Sequence, residues 1–145
     1  MVDFDRSVLG VESAALQYEV EKGAIRKFVE AIGDDDPIYH DEQAARSAGF
    51  KTIVAPPTFL CTFRARELPD LKLDFGRVSL NGGNEYEYYR PVYAGDTITV
   101  TAKYANVSER TGRTGKMVFV VTELTFTNQH GEMVAKGRNT GIRRE

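Results

Sequence analysis

Carboxylates and a histidine lie close together in one short stretch of the chain, GDDDPIYH. Pro37 fixes its own φ and disfavours the helical region for Asp36, so the stretch must form a turn. A histidine titrates near neutral pH, and a neighbouring carboxylate can orient its ring for proton transfer. The pattern therefore predicts an acid/base site built from Asp34, Asp35 and His40. The alternative is a solvated turn in which the acidic side chains cap helices.

Short helices are predicted on both sides of this turn. Apolar residues recur at helical spacing before it, and Gly33 stands where a C-terminal cap is expected. An acidic start and several alanines favour a second helix that ends at Gly49. A third begins at a proline and presents a broad apolar face up to Pro69. The predicted helices are Lys22–Ile32, Asp41–Ala48 and Pro57 to about Leu68.

The second half of the chain has the composition of strands. β-Branched and aromatic residues fill four stretches that are separated by turn-forming residues at hairpin spacing. The predicted strands are Asn84–Arg90, Thr97–Val107, Lys116–Asn128 and Glu132–Arg143. Together these elements predict an α+β fold in which an antiparallel sheet wraps around one apolar central helix, as a single domain over residues 1–145.

Bulk properties narrow the function classes. The net charge is −2 with 28% charged residues of both signs, so nothing favours a nucleic acid or an anionic membrane. Cys61 is the only cysteine, which excludes an internal disulfide and a cysteine metal cluster. No apolar run reaches the roughly 18 residues of a membrane span, and the first ten residues lack a hydrophobic signal core. A cytoplasmic protein is the simplest expectation.

Three segments in this order, GDDDPIYHDEQAARSAGF, IVAPPTFL and YYRPVYAGDTI, resemble the MaoC-like hot-dog proteins. The chain is most similar to their N-terminal dehydratase-domain branch, which includes acyl-binding subunits of (R)-3-hydroxyacyl dehydratases. The resemblance implies a hot-dog fold, pairing of two such units, and an acyl thioester on CoA or acyl carrier protein at the pairing interface. It implies reversible addition of water across a trans-2-enoyl thioester, with no cofactor and no metal.

The acidic turn departs from the pattern of the active members, GDxNPLH, whose Asp and His activate water. Alignment on Pro37 places Asp34 on the family aspartate but Tyr39 on the family histidine. Keeping the interval between the two catalytic residues instead pairs Asp35 with His40 and shifts the proline. Because acid/base catalysis needs hydrogen-bond reach, a one-residue shift in a turn matters.

The segment that opens the central helix also departs from the family. Active members have a glycine-containing AHG segment there, which supplies a backbone N–H to the thioester oxyanion. This chain has prolines at Pro56 and Pro57, which have no N–H, so that Thr58 carries the next one. The structural alternative is that the prolines only pre-organise a helix start. The resemblance implies an acyl-thioester-binding set made of Tyr39, Pro56, Pro57, Thr58, Asn81, Gly82 and Gly83, the last three near a pantetheine arm. The structural alternative for these last three residues is a plain turn or bulge.

Two functions from different classes follow. In the first, the chain is an acyl-binding subunit of an (R)-specific enoyl-thioester hydratase or 3-hydroxyacyl-thioester dehydratase, and a MaoC-like paralogue supplies the catalytic pair. In the second, it is a self-sufficient homodimeric (R)-enoyl-CoA hydratase that uses the Asp/His turn. A hot-dog acyl thioesterase is a third possibility, because the fold alone does not choose the reaction.

Overall fold

The computed structural model describes the whole chain, Met1–Glu145, and its main element is a curled antiparallel sheet of five strands. The strands lie in the order β1-β3-β4-β5-β2, so β1 and β2 form the two edges. Their bounds are Leu16–Glu19 for β1, Val78–Tyr88 for β2, Thr97–Gly112 for β3, Gly115–Thr127 for β4 and Met133–Arg144 for β5. The four long strands form where the sequence predicts them, although β2 begins earlier. The short edge strand β1 carries no predicted strand signal.

Both helices around the acidic turn are confirmed. Helix α1 spans Lys22–Ile32 and ends at Gly33, whose φ of 70° is in the left-handed region that favours glycine. Helix α2 spans Glu42–Ser47. Its N-cap is Asp41, whose Oδ1 accepts hydrogen bonds from the N–H groups of the second and third helical residues at 2.8 and 3.2 Å. The two caps therefore bracket the turn and fix its path.

The predicted helix from Pro57 to about Leu68 is wrong in length. A 3-10 helix covers only Pro57–Thr62, and its Phe59 and Leu60 are buried as predicted. It ends because the Tyr18 hydroxyl accepts a hydrogen bond from Arg64 N–H at 3.1 Å and donates one to the Arg64 carbonyl at 2.8 Å. A continuing helix would need both of those backbone groups for its own ladder.

The main core lies at one end of the sheet. It joins Ile25 and Val29 of α1 and Phe59 of the 3-10 helix to the strand residues Ile98 and Phe126, all of them buried. Apolar positions three and four apart on α1 form the stripe that packs against the sheet. The sheet therefore curls around a layer made of α1 and the short 3-10 helix rather than around one long helix.

A second, smaller core lies at the other end of the sheet, where Leu71 and Leu73 pack with Val8 against Val118. These two leucines belong to residues 63–77, which contain neither helix nor strand. This irregular segment crosses the inner face of the sheet in the position where the predicted helix would have continued. A groove remains between the two cores, because an extended segment fills less space than a helix with its side chains.

Candidate functional site

Two of the three aspartates of the acidic turn, Asp34 and Asp36, serve first as acceptors for backbone N–H groups. Asp34 N–H donates to the Val29 carbonyl at 3.0 Å, which continues the end of α1. Asp34 Oδ1 accepts from Asp36 N–H at 3.2 Å, and Asp36 Oδ1 accepts from Ile38 N–H at 3.1 Å. A second 3-10 helix, Pro37–Tyr39, follows directly. The turn is thus held by Asx interactions of the kind that capping predicts.

Residues Tyr39 and His40 face different sides of the turn. His40 lines an open, polar hollow of 600 Å³ together with Asp34 and Asp35, so the structure brings the three predicted catalytic residues to one surface. Arg26 and Glu30 of α1 complete its charged wall. The His40 side chain is exposed to solvent. Such a hollow is open to water, and Val29 is the only apolar residue among those that line it.

Tyr39, by contrast, lines a separate apolar pocket of 390 Å³. Burial raises the pKa of the Tyr39 phenol, and the nearby charges of Asp34 and Asp36 raise it further. The phenol is therefore neutral at neutral pH and can donate a hydrogen bond. The other lining residues are Ile38, Phe50, Val54, Ala55, Pro56, Pro57, Leu60, Tyr88, Tyr89, Arg90, Pro91 and Val92.

The wall of this pocket offers few backbone donors. Ala55 N–H donates to the Val92 carbonyl at 2.8 Å, and Phe59 N–H donates to the Pro56 carbonyl at 2.9 Å. The prolines between them, Pro56 and Pro57, line the pocket without any N–H. Thr58 is exposed and is not among the lining residues. The structure therefore brings Tyr39, Pro56 and Pro57 together and leaves Thr58 apart from them.

The remaining members of the predicted binding set lie elsewhere. Asn81, Gly82 and Gly83 form a β-bulge on β2, where Asn81 Oδ1 accepts a hydrogen bond from Gly83 N–H at 3.0 Å. A side chain at Gly82 would come within 2.8 Å of Ile142. Seven residues separate Asn81 from Tyr88, which corresponds to roughly 20 Å along the strand. These residues are therefore not part of the apolar pocket around Tyr39.

Asn81 instead lines the groove beneath the irregular segment 63–77. Two adjoining hollows of 1140 and 580 Å³ form this groove, and both include Asn81, Tyr104, Thr122 and Asn139. The sequence pattern does not single out Tyr104, Thr122 or Asn139, because they lie on different strands and meet only through the register of the sheet. Strand alternation was the only available signal, and it does not give register.

The sequence of this chain matches a family of known proteins. The family model described as the FAS1-like dehydratase domain region matches residues 7–137. The chain belongs to this family. A UPF0336 protein of Parafrankia sp. is 37% identical over 126 residues, which cover 83% of this chain and 80% of that protein. The probable enoyl-CoA hydratase alpha subunit of Thermomonospora curvata is 33% identical over 132 residues, which cover 79% of this chain but only 41% of that protein.

Solved structures show the same fold. The HadBC (3R-hydroxyacyl-ACP dehydratase) complex of Mycobacterium tuberculosis superposes with a TM-score of 0.74 and 26% identity, over 93% of this chain and 96% of that one. The ChsH1-ChsH2 complex of the same organism gives 0.80 and 23%, over 93% and 89%. A MaoC-like dehydratase of Rhodospirillum rubrum gives 0.73 and 23%, over 99% and 98%. The chain is thus a MaoC-like hot-dog protein, and HadBC and ChsH1-ChsH2 are heteromeric.

The structure also answers two simpler questions. None of its helices has both the length and the apolar character needed to cross a membrane. No group of three or more His, Cys, Asp or Glu side chains converges as metal ligands would.

Proposed function

We propose that this chain is the acyl-binding subunit of an (R)-specific enoyl-thioester hydratase or 3-hydroxyacyl-thioester dehydratase of the cytoplasm. The observation that carries the proposal is the composition of the apolar pocket, which Tyr39, Pro56 and Pro57 line. In the alignment on Pro37, these residues take the places of the histidine and the backbone donor of the active pattern. The pocket can hold an acyl group, but it lacks both a base near neutral pH and an oxyanion donor from the proline pair.

The catalytic groups would then come from a paralogous MaoC-like partner. Hydration requires a base that removes a proton from water as its oxygen bonds to C3 of the enoyl thioester, and an acid that returns a proton to C2. A partner with an intact Asp/His motif supplies both. The heteromeric complexes of the structural relatives support such a division of labour.

The edge strand β2 supplies a surface for this pairing. It is eleven residues long, pairs only with β5, and carries exposed apolar side chains at Val78 and Leu80. An exposed strand edge with unpaired backbone groups favours addition of a strand from another chain. The partner can be a paralogue or a second copy of this chain.

A self-sufficient hydratase is the second candidate, because Asp34, Asp35 and His40 do line one hollow. In that function, His40 and one of the aspartates would activate water in each protomer of a homodimer. The hollow and the apolar pocket share no lining residue, so an acyl group held in the pocket would have to extend past the turn to reach His40.

Hydration of crotonyl-CoA and of a long-chain trans-2-enoyl-CoA by the purified chain tests the proposal. We expect a rate at least about a hundredfold below that of an active (R)-hydratase assayed in parallel, because loss of one oxyanion donor alone has an effect of that size. In the complex with its catalytic partner, His40→Ala should leave the rate nearly unchanged. Robust turnover by a verified homodimer, abolished by His40→Ala at unchanged stability, would establish the second candidate instead.

A further inference from the structure

Four polar side chains form one continuous row across the inner face of the sheet. In the register of the strands, Tyr104 of β3 lies opposite Thr122 of β4, Thr122 lies opposite Asn139 of β5, and Asn139 lies opposite Asn84 of β2. Ala102 lies two residues before Tyr104 along β3 and is buried, so Tyr104 faces the same inner side of the sheet. We refer to these four residues as the polar row.

The neighbouring rows on this face are apolar apart from Asn81, which stands opposite Gly141 on the edge strand β2. One step towards the main core, Ala102, Leu124, Gly137 and Tyr86 stand opposite one another. One step the other way, Val120 stands opposite Gly141. A sheet face that only packs against other elements would continue this apolar pattern through the row. The polar row therefore interrupts a largely apolar surface at the place where residues 63–77 leave the groove open.

The side chains of the polar row are available to a ligand. All four line the 580 Å³ hollow, with Phe63, Leu68 and Leu124 as its apolar walls. The one side-chain hydrogen bond in this part of β2 is accepted by Asn81 from Gly83 N–H, and Asn81 is not a member of the polar row. The row itself has no formal charge. It offers two amides and two hydroxyls, which can both donate and accept.

The space in the groove results from the missing side chain of Gly141. A Cβ at Gly141 would meet nothing nearer than the Val120 carbonyl oxygen at 3.8 Å, so the missing side chain leaves the floor open beside the polar row. Gly137, one row away, is different: a Cβ there would lie 3.1 Å from the Tyr86 ring, which already fills that place. The groove thus continues past the polar row towards the 1140 Å³ hollow, and Tyr86 lines its end nearer the main core.

We propose that this groove binds an acyl chain that carries hydroxyl or keto groups along its length, and that the polar row hydrogen-bonds to those groups. The inference rests on the proposed function, since it specifies the class of acyl chain. A plain hydrocarbon in the groove would displace water from two amides and two hydroxyls and would offer them no hydrogen bonds in return, which is unfavourable. Neutral oxygen functions on the chain match the neutral row.

The position of the polar row along β2 fits such a ligand. Asn84 lies four residues from Tyr88, a lining residue of the apolar pocket, which is roughly 13 Å along β2. An acyl group whose thioester lies at that pocket would therefore run past Tyr86, which lines the 580 Å³ hollow, and bring the middle of a long chain, not its first carbons, to the polar row.

Binding of oleoyl-CoA and ricinoleoyl-CoA to the full-length chain tests the inference, because the two ligands differ by one mid-chain hydroxyl. Titration calorimetry should show ricinoleoyl-CoA binding about 3- to 10-fold more tightly, the gain expected from one net hydrogen bond. Equal affinities would overturn the inference and leave the proposed function standing. Binding of neither ligand would overturn both.

Variants of the row provide the second measurement. Asn139→Leu should abolish the preference for the hydroxylated chain while oleoyl-CoA binds at least as tightly as before. Thr122→Val makes a smaller change of the same kind and should reduce the preference. Thr125→Val is the matched control, because Thr125 is on the same strand but faces the opposite side of the sheet, opposite Thr101 and Lys136. Retention of the full preference in both row variants, with cooperative unfolding intact, would contradict the inference.

Discussion

At the scale of single residues, Tyr39 has the most informative environment in the acidic turn. Tyr39 lines the apolar pocket, while the next residue, His40, lines the polar hollow. Neighbouring residues of a turn can differ in this way because the short 3-10 helix, which ends at Tyr39, rotates each side chain by about a third of a turn relative to the last. A one-residue shift therefore decides which side chain lines the apolar pocket.

The stability of the protein at alkaline pH reports on this environment. The pKa of Tyr39 is raised above its ordinary value of 10.0, first by burial and then by Asp34 and Asp36. A raised folded-state pKa contributes stability that is fully present below the unfolded pKa and is lost as pH rises through the folded pKa. We expect the free energy of unfolding to fall between about pH 9 and the folded pKa, and to fall less steeply in Tyr39→Phe.

Urea denaturation of both proteins across this range measures the difference. Other tyrosines with raised pKa values, such as Tyr86 and Tyr88, are present in both proteins and their contributions cancel. Parallel pH profiles for the wild type and Tyr39→Phe would show that Tyr39 is not in an environment that disfavours its ionisation.

At the scale of secondary-structure elements, the end of the 3-10 helix at Thr62 determines the shape of the groove. Tyr18, on the edge strand β1, stacks its ring on Phe63 with centroids 4.5 Å apart and bonds both backbone groups of Arg64. These contacts turn the chain away from the helical path. The apolar pattern from Phe59 to Leu68 alone would have allowed the helix to continue.

Tyr18→Phe tests this contribution, because it keeps the ring that stacks on Phe63 and removes only the hydroxyl. Loss of two hydrogen bonds should lower the free energy of unfolding by about 1–3 kcal/mol. Tyr104→Phe is the matched control: its hydroxyl faces the groove, and we expect a change within about 0.5 kcal/mol. Chemical denaturation gives both values. Equal, small effects in the two variants would show that the Tyr18 hydroxyl does not hold the segment.

At the scale of the whole molecule, the two edges of the sheet differ. β1 has four residues, whereas β2 has eleven, most of them exposed. A long exposed edge invites pairing with another chain unless charges or bulges protect it. The bulge at Gly82 and the charges at Glu85 and Glu87 protect part of β2, but Val78 and Leu80 at its start remain exposed and apolar.

We therefore expect the purified chain to sediment as a dimer or larger species at micromolar concentration. Val78→Lys combined with Leu80→Lys should shift it towards monomer, because like charges at a strand edge oppose pairing. Val11→Lys is the control: Val11 is 44% exposed, like Leu80, but lies outside the sheet. A stable wild-type monomer, or equal effects of the control and the double variant, would count against assembly through β2.

The sequence by itself determined the secondary structure around the acidic turn. Capping residues act within a few positions along the chain, so Gly33 and Asp41 alone identify the ends of α1 and α2. The four long strands were equally predictable, because alternation and turn residues are local patterns too. The ordered segments also implied the MaoC-like family, which the matched residues 7–137 support.

Only the tertiary structure decided which side chains meet. The 3-10 helix stops at Thr62 because Tyr18, more than forty positions earlier, bonds the Arg64 backbone. Asn84 and Asn139 share one row because strand register places them opposite each other. Neither contact leaves a local pattern, since both depend on residues far apart in the chain. For the same reason, the sequence grouped Asn81 with Tyr39, although the folded chain places them at different cavities.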